Sequence, residues 1–327
     1  MGGARIKEIG IAVLFIAVAT AAVPAARAET FAVSEYGKIT STLPWAVALK
    51  KGFLRQDGLD ITDIVSSSGG GSSLRNLLAT GMGVGQVGTT TVIAAINQGM
   101  DLRIVMCTTD HLGDLTWATT KDSNIRSVKD LAGKRVAFTS PRSTTEIVLR
   151  AALANAGILG KVDMISIGGL GPGLTALAQG AVAATPLVDP TLTLEPDRYR
   201  VLFHGYDVFP KFTSAVIVAT PEFIRLHPDK LRALLRARRR AVEYMEQHRE
   251  ETALIYSQVF GFSLADARKL LPKYYDWGQF SHGEFSKEGL DATSRGMQLV
   301  GLIAKPVDWS KIVDQSFLEA DQQRALW

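Results

Sequence analysis

From residue 31 onward the chain alternates short apolar runs with stretches whose apolar positions recur every three to four residues. Residues 31–34 read as a strand, 43–55 as a helix and 59–65 as a second strand, a β-α-β opening. Pro44 in the first turn, then Trp45, Val47, Ala48 and Leu49, and Gly52 near the end mark the helix. Residues 72–80 place Leu74, Leu77 and Leu78 at helical spacing, and 86–88 and 102–106 read as further strands. Alternation of this kind predicts a mostly parallel, doubly wound sheet.

The pattern restarts at 115–119, a strand that crosses into a second α/β unit. That unit runs through a short helix at 128–131, a strand at 135–138, a helix at 143–156, a strand at 163–167 and a helix at 174–179. Strands at 185–188, 200–203 and 215–219 close it. From Pro221 the chain is helical, with Leu231, Leu234, Leu235, Val242 and Met245 on one apolar face and later helices around 264–274 and 290–303. The expected division is 29–116 plus 217–327 for one lobe and 117–216 for the other. No fixed-period repeat is present, which excludes solenoids.

Residues 1–28 have a different character. Arg5 and Lys7 precede an apolar run over 9–23, followed by Ala26-Arg27-Ala28, the form of a secretory signal peptide cut before Glu29. The run is shorter than the roughly 20 residues that span a bilayer. No cysteine follows it to carry a lipid, so the expected location is the periplasm. The rest of the chain carries one cysteine, Cys107, which excludes disulfide scaffolds and cysteine-rich metal sites. Formal charge is +4 from 36 basic and 32 acidic residues, too balanced for a nucleic-acid binder.

The chemical motifs are mostly exclusions. Gly83-Val84-Gly85-Gln86-Val87-Gly88 spells a dinucleotide fingerprint, but it follows a helix and runs into a strand, the reverse of what that motif needs. No phosphate-binding loop, no Gly-x-Ser-x-Gly elbow and no Ser-x-x-Lys occurs, and the five histidines show no i, i+4 pair. No metal, cofactor or catalytic constellation is therefore expected. Arg236, Arg238, Arg239 and Arg240 are expected to form a solvated helix face.

Four loops rich in Ser, Thr or Gly precede predicted helices at the carboxyl ends of strands: 36–42, 66–73, 139–144 and 168–173. Ligands of open α/β sheets bind at such ends, where helix N-termini offer free N–H groups and partial positive charge. Several such ends facing one cleft make an anion site without metal. Ser143 with Glu146 is also a capping box, and Arg142 is placed to offset the Glu146 charge against a bound anion.

Lys51-Gly52-Phe53-Leu54, Gly58-Leu59-Asp60-Ile61, Ser68-Gly69-Gly70, the run Ser127-Val128-Lys129-Asp130-Leu131-Ala132-Gly133-Lys134-Arg135-Val136-Ala137, and Asp189-Pro190 resemble the periplasmic substrate-binding proteins of ABC importers. The group is the nitrate, sulfonate and taurine group, which includes thiamine-pyrimidine binders. The resemblance implies an α/β, two-lobed periplasmic binding protein fold of type II, each lobe a mostly parallel doubly wound sheet, with a helical C-terminal region. It implies a monomer that captures a small-molecule ligand and serves a permease at the inner membrane, with neither nucleic acid nor cofactor. Family ligand positions map to Ser41, Ser68, Gly69, Thr89, Ser143, Thr144 and Asp189, with His111 and Asp114 on a cleft loop. Tyr36 and Trp45 are candidates for contact with an organic moiety.

The expected ligand is a small organic anion of sulfonate type, with a neutral pyrimidine or thiamine precursor as the alternative and a ligand-sensing subunit as the alternative to transport. Fungal pyrimidine-precursor synthases share the resemblance but use a cysteine-rich motif and a cofactor-linked lysine, which a chain with only Cys107 lacks. Gly83 and Ala183 stand near positions where the group usually carries acids.

Overall fold

The computed structural model describes residues 1–2, 29–67 and 70–327. Most of the expected signal peptide, and the candidate residues Ser68 and Gly69, lie outside the described residues. Ten strands are formed: β1 (Glu29–Ser34), β2 (Ile61–Ser67), β3 (Val84–Gly88), β4 (Arg103–Thr109), β5 (Leu115–Thr120), β6 (Arg135–Phe138), β7 (Asp163–Ser166), β8 (Thr185–Val188), β9 (Tyr199–His204) and β10 (Ala215–Ala219). The helices of the first half are α1 (Leu43–Lys50), α2 (Phe53–Gln56), α3 (Gly70–Ala79), α4 (Thr89–Asn97), α5 (Thr144–Asn155) and α6 (Leu170–Ala178). They are followed by α7 (Thr191–Leu194), α8 (Gly205–Val208), α9 (Pro221–Leu226), α10 (Pro228–Gln247), α11 (Arg249–Phe260), α12 (Leu264–Asp276) and α13 (Lys287–Leu299).

The first sheet has the order β2-β1-β3-β10-β4, with β1 parallel to both neighbours and β10 antiparallel to both of its own. In the second, β5 runs antiparallel between β8 and β9, and β6 pairs parallel with β7. A parallel bridge from Val136 to Ala184, with the Ala137 N–H donating to the Ala184 carbonyl, stitches β6 to the approach to β8. The spatial order becomes β7-β6-β8-β5-β9, the same plan as the first sheet. In each sheet the one reversed strand, β10 or β5, is the segment that has just crossed from the other. The fold is thus two α/β lobes, and each crossing strand is inserted next to the edge of the sheet it enters.

The predicted strands form at or within a few residues of their expected positions, while two helix expectations change. The helix over 43–55 is split, because Gly52 adopts φ +70°, ends α1 and opens α2. A helix absent from the sequence reading, α4, follows β3 directly. Its TTTVIA opening is β-branched and reads as strand, but tertiary packing buries Thr89, Thr90, Val92 and Ile93 and overrides that propensity.

The glycine run 83–88 serves sheet packing. Gly83 sits at φ +65°, where an added Cβ would lie 2.6 Å from Thr220 Oγ1, and a Cβ on Gly85 would lie 2.7 Å from the Ala32 carbonyl. The same crowding accounts for glycine at 83.

On α10 the predicted apolar face is buried. The arginine run departs from expectation at one position, because Arg238 is fully buried and donates to the carbonyls of Ser281 (2.7 Å) and Thr108 (3.0 Å). Burial lowers its pKa to about 10. Arg239 and Arg240 remain at the surface, paired with Asp321 and Asp57. No helix among the described residues is long and apolar enough to cross a membrane.

Candidate functional site

A cavity of about 230 Å³ opens between the carboxyl ends of the two sheets. From the first lobe it is lined by Ser34 and Glu35 at the end of β1, Ser41 in the turn before α1, and Gly88, Thr90 and Thr91 where β3 passes into α4. Across it stand Thr139 and Ser140 after β6, Ser143 and Thr144 at the start of α5, and Gly168 and Gly169 before α6. Leu112, Asp114 and Leu115 come from the crossing, and Gln279 from the loop after α12.

The first-lobe wall is backed by rigid packing. Trp45 is fully buried against Phe31, ring centroids 4.6 Å apart, and its indole N–H donates to Gln86 Oε1 at 2.7 Å. That bond fixes which way the Gln86 carboxamide points at the cavity wall. α4 has Gly88 as its N-cap, no side-chain cap and no acid in its first turn; the Thr89 N–H is given to the Ser214 carbonyl, and the amides after it in the first turn keep their donor capacity. Gln279 is 1% exposed; neither its Oε1 nor its Nε2 makes a full hydrogen bond, but its side chain faces Asp114 and acts to lower that carboxyl's pKa against the effect of burial. Thr109 Oγ1, also at the cavity, is buried and unpartnered. Buried polar atoms without partners cost about 1–3 kcal/mol each, a cost that a bound solute or water removes.

The second-lobe wall is a shared hydroxyl network. Ser143 caps α5, accepting from the Glu146 N–H at 3.3 Å, while its hydroxyl also meets Thr145 Oγ1 at 2.8 Å. Thr139 Oγ1 lies 2.7 Å from Thr145 Oγ1 and 3.3 Å from Ser143. The Glu146 carboxylate turns away from the cavity. It accepts from Arg150 at 2.9 Å and from the Arg142 backbone N–H at 2.7 Å, so Arg150, and not the Arg142 side chain, offsets its charge. α6 starts at Gly169 with neither a side-chain cap nor a first-turn acid.

Among the described residues no Lys, Arg or His lines the cavity, and the two charged groups that do are the carboxylates of Glu35 and Asp114. Burial raises the pKa of Asp114 to about 6, and the neighbouring Asp189 adds to the shift. Glu35 is also raised by burial, against the lowering effect of Lys38. Among the described residues only Glu35 and Arg142 are non-glycine positions at positive φ (55° and 64°), and they flank the cavity from opposite lobes. Backbone strain of this kind concentrates at ligand clamps.

Of the residues singled out from sequence, Ser41, Ser143, Thr144 and Asp114 line the cavity. Trp45 does not reach it, because Gln86 stands between. Tyr36 is half-buried against the core, off the cavity, with burial pushing its hydroxyl up to about 12. Thr89 is fully buried one residue behind the wall, its N–H donating to the Ser214 carbonyl at 3.0 Å. His111 stacks on Tyr206 with ring centroids 6.0 Å apart; burial lowers its pKa, and it does not line the cavity. Asp189 is buried behind Val188, accepting from the Thr193 N–H (3.0 Å) and hydroxyl (2.8 Å). Cavity residues absent from the sequence reading include Ser34, Glu35, Gln86, Thr90, Thr91, Thr109, Thr145, Ser214 and Gln279. Gln86 sits inside β3, the others at strand ends, in the first turns of α4 and α5 and in a loop with no motif; Gln86 and Gln279 offered no signal.

Two lobes of one strand plan around a cavity define a protein of the periplasmic binding protein fold. The chain belongs to the NMT1/THI5-like family, whose match covers residues 39–252. A Bacillus subtilis (strain 168) protein named for binding aliphatic sulfonates is 24% identical over 287 residues, 85% of each chain. The alkanesulfonate-binding protein SsuA from Xanthomonas axonopodis pv. citri, solved bound to MOPS, superposes with a TM-score of 0.73 at 20% identity, covering 88% of this chain and 98% of its own. The fold also serves an enzyme: desulfurization enzyme DSZB superposes with a TM-score of 0.61 at 17% identity over 89% and 97% of the two chains.

Proposed function

We propose that the protein is the periplasmic solute-binding component of an ABC importer, a monomer that closes residues 29–116 plus 217–327 and residues 117–216 on a small organic anion of sulfonate type and hands it to a permease at the inner membrane. The observation that carries the reading is the convergence on one cavity of hydroxyl-bearing and glycine-led helix starts from both lobes, α4 from one and α5 and α6 from the other, with the single first-turn acid, Glu146, held by Arg150. Helix ends at ~0.3–1 kcal/mol each cannot supply the roughly 8 kcal/mol of a micromolar site. Direct bonds from Ser143, Thr144 and Thr91 to the acid group, and burial of the organic part against Ile39, Leu112 and Leu170, supply the rest.

Asp114 and Gln279 set the polarity of the other end, where a hydrogen-bond donor on the ligand meets the carboxylate and the carboxamide beside it. One observation favours a second reading, a neutral or protonated nitrogen heterocycle: among the described residues the cavity is lined by carboxylates and no cation. A thermal-shift screen of alkanesulfonates, aminoalkanesulfonates, carboxylates, nitrate and pyrimidines separates the two, since a ligand well above its Kd raises Tm. Stabilisation by sulfonates supports the first reading; stabilisation by pyrimidines alone replaces it with the second. Catalysis forms no part of the proposal, and the named relatives that bind sulfonates are binding proteins.

A further inference from the structure

A second concavity, of about 440 Å³, lies outside the cleft, between α12 and the edge formed by β5, α7 and β9. Among the described residues its lining includes Lys121, Arg200, Lys269 and Lys273 and no Asp or Glu. None of these four cations forms an ion pair among the described residues. Arg200 donates to the carbonyls of Ser123 (2.7 Å), Ile125 (3.3 Å) and Lys121 (2.5 Å). Lys269 donates to the Thr193 carbonyl at 3.2 Å and Lys273 to the Thr193 hydroxyl at 2.9 Å. Their situation contrasts with that of Arg268 on the same helix, which is paired with Glu250, and with Arg239 and Arg240 on α10, paired with Asp321 and Asp57.

Lys269 and Lys273 are one helical turn apart on α12 and share a face. Lys121 and Arg200 reach the groove from adjoining strands of the other lobe, since β5 and β9 are paired. Four like charges sharing one concavity repel one another, and only neutral oxygens compensate them. A ligand with several negative oxygens relieves that repulsion and ties the two sides together. The floor, Thr193, is held from below by Asp189, so the lysines rest on an anchored hydroxyl and not on a mobile loop.

We infer that this groove is a second ligand site, for a multivalent anion of the phosphate or polyphosphate class, that bridges α12 to the β5–β9 edge. Occupancy there is independent of the cleft ligand's identity.

The probe is inorganic tripolyphosphate, titrated into the full chain by calorimetry at fixed ionic strength, with orthophosphate as the low-charge comparison. The expected result is one binding event for tripolyphosphate, at least tenfold weaker for orthophosphate. Lys269→Gln with Lys273→Gln should weaken tripolyphosphate at least tenfold with Tm little changed, because both side chains are exposed. Ser143→Ala with Thr144→Ala, in the cleft, should leave tripolyphosphate binding within twofold. The inference is overturned if tripolyphosphate does not bind, if the lysine variants bind it as the wild type does, or if the cleft variant abolishes the binding, which would place the anion in the cleft instead.

Discussion

The two walls of the cleft present similar polar groups in different states. On the second lobe Thr139, Ser143 and Thr145 already bond one another, so a hydroxyl proton turned onto a ligand is taken from one of these internal bonds. On the first lobe Thr109 Oγ1 is buried with no hydrogen-bond partner, the buried Gln279 carboxamide makes no full hydrogen bond and has only Asp114 beside it, and Gln86 is pinned by Trp45. The second wall is satisfied when empty and adaptable; the first is unsatisfied and fixed. Ligand therefore gains most by pairing the first wall's orphans, while the second wall's gain is limited by the internal bonds it gives up. On this account closure is driven from the first lobe, and the hydroxyl network follows.

The largest expected effect attacks the backing of the rigid wall. Trp45→Ala removes a fully buried indole and orphans Gln86, and should lower unfolding stability by about 3–5 kcal/mol, read from denaturant midpoints. Gln279→Met tests the buried carboxamide directly. It keeps the volume and deletes two polar atoms that make no full hydrogen bond, so stability should change little while ligand affinity falls by about 1–3 kcal/mol in calorimetry. If affinity holds instead, the first wall is inert.

On the other side, Ser143→Ala with Thr144→Ala should cost about 1–2 kcal/mol of affinity. It should also cost on the order of 1 kcal/mol of stability, because Ser143 caps α5. Retained affinity would confine Ser143 to capping.

The smallest effect is a pH slope. The folded-state pKa of Asp114 lies near 6 against an unfolded value of 3.8, so the unliganded protein holds the Asp114 proton more tightly than the unfolded chain does. Stability from this group is full below pH 3.8, falls as pH rises through about 6 and is flat above. The slope is at most about 1.4 kcal/mol per pH unit. Asp114→Asn should remove it, as read from urea midpoints between pH 4 and 7. A ligand that places an N–H donor on the carboxylate should bind more tightly at pH 7 than at pH 5.

The contrast between the walls also marks what was legible in the sequence. Ser143, Thr144 and the glycines before α6 stood out because a hydroxyl- or glycine-rich loop before a helix is a local pattern, and local patterns survive folding. The strands were equally legible from apolar runs. The first wall was not, because it is built by long-range placement: Gln86 is one polar residue inside a buried strand, and Gln279 follows a helix nearly 200 residues later. Thr90 and Thr91 were hidden in a β-branched helix start. Trp45 and Tyr36 were singled out as large aromatics near a helix start, the usual position of ligand contacts, but a residue that size is more useful behind a wall than on it. Arg238 shows the same limit, since a run of arginines reads as solvated surface until packing buries one of them.

The central claim is that one ligand is held by both walls at once. Once the thermal-shift screen has identified a ligand, calorimetry on the wild type, Gln279→Met, Ser143→Ala with Thr144→Ala, and the combination of all three tests it directly. The account predicts a weaker Kd for each set alone, a larger loss for Gln279→Met, and a combined loss that differs from the sum of the two, because both walls grip one molecule. An unchanged Kd for either set, with folding intact, would contradict it and assign the binding site to a single lobe.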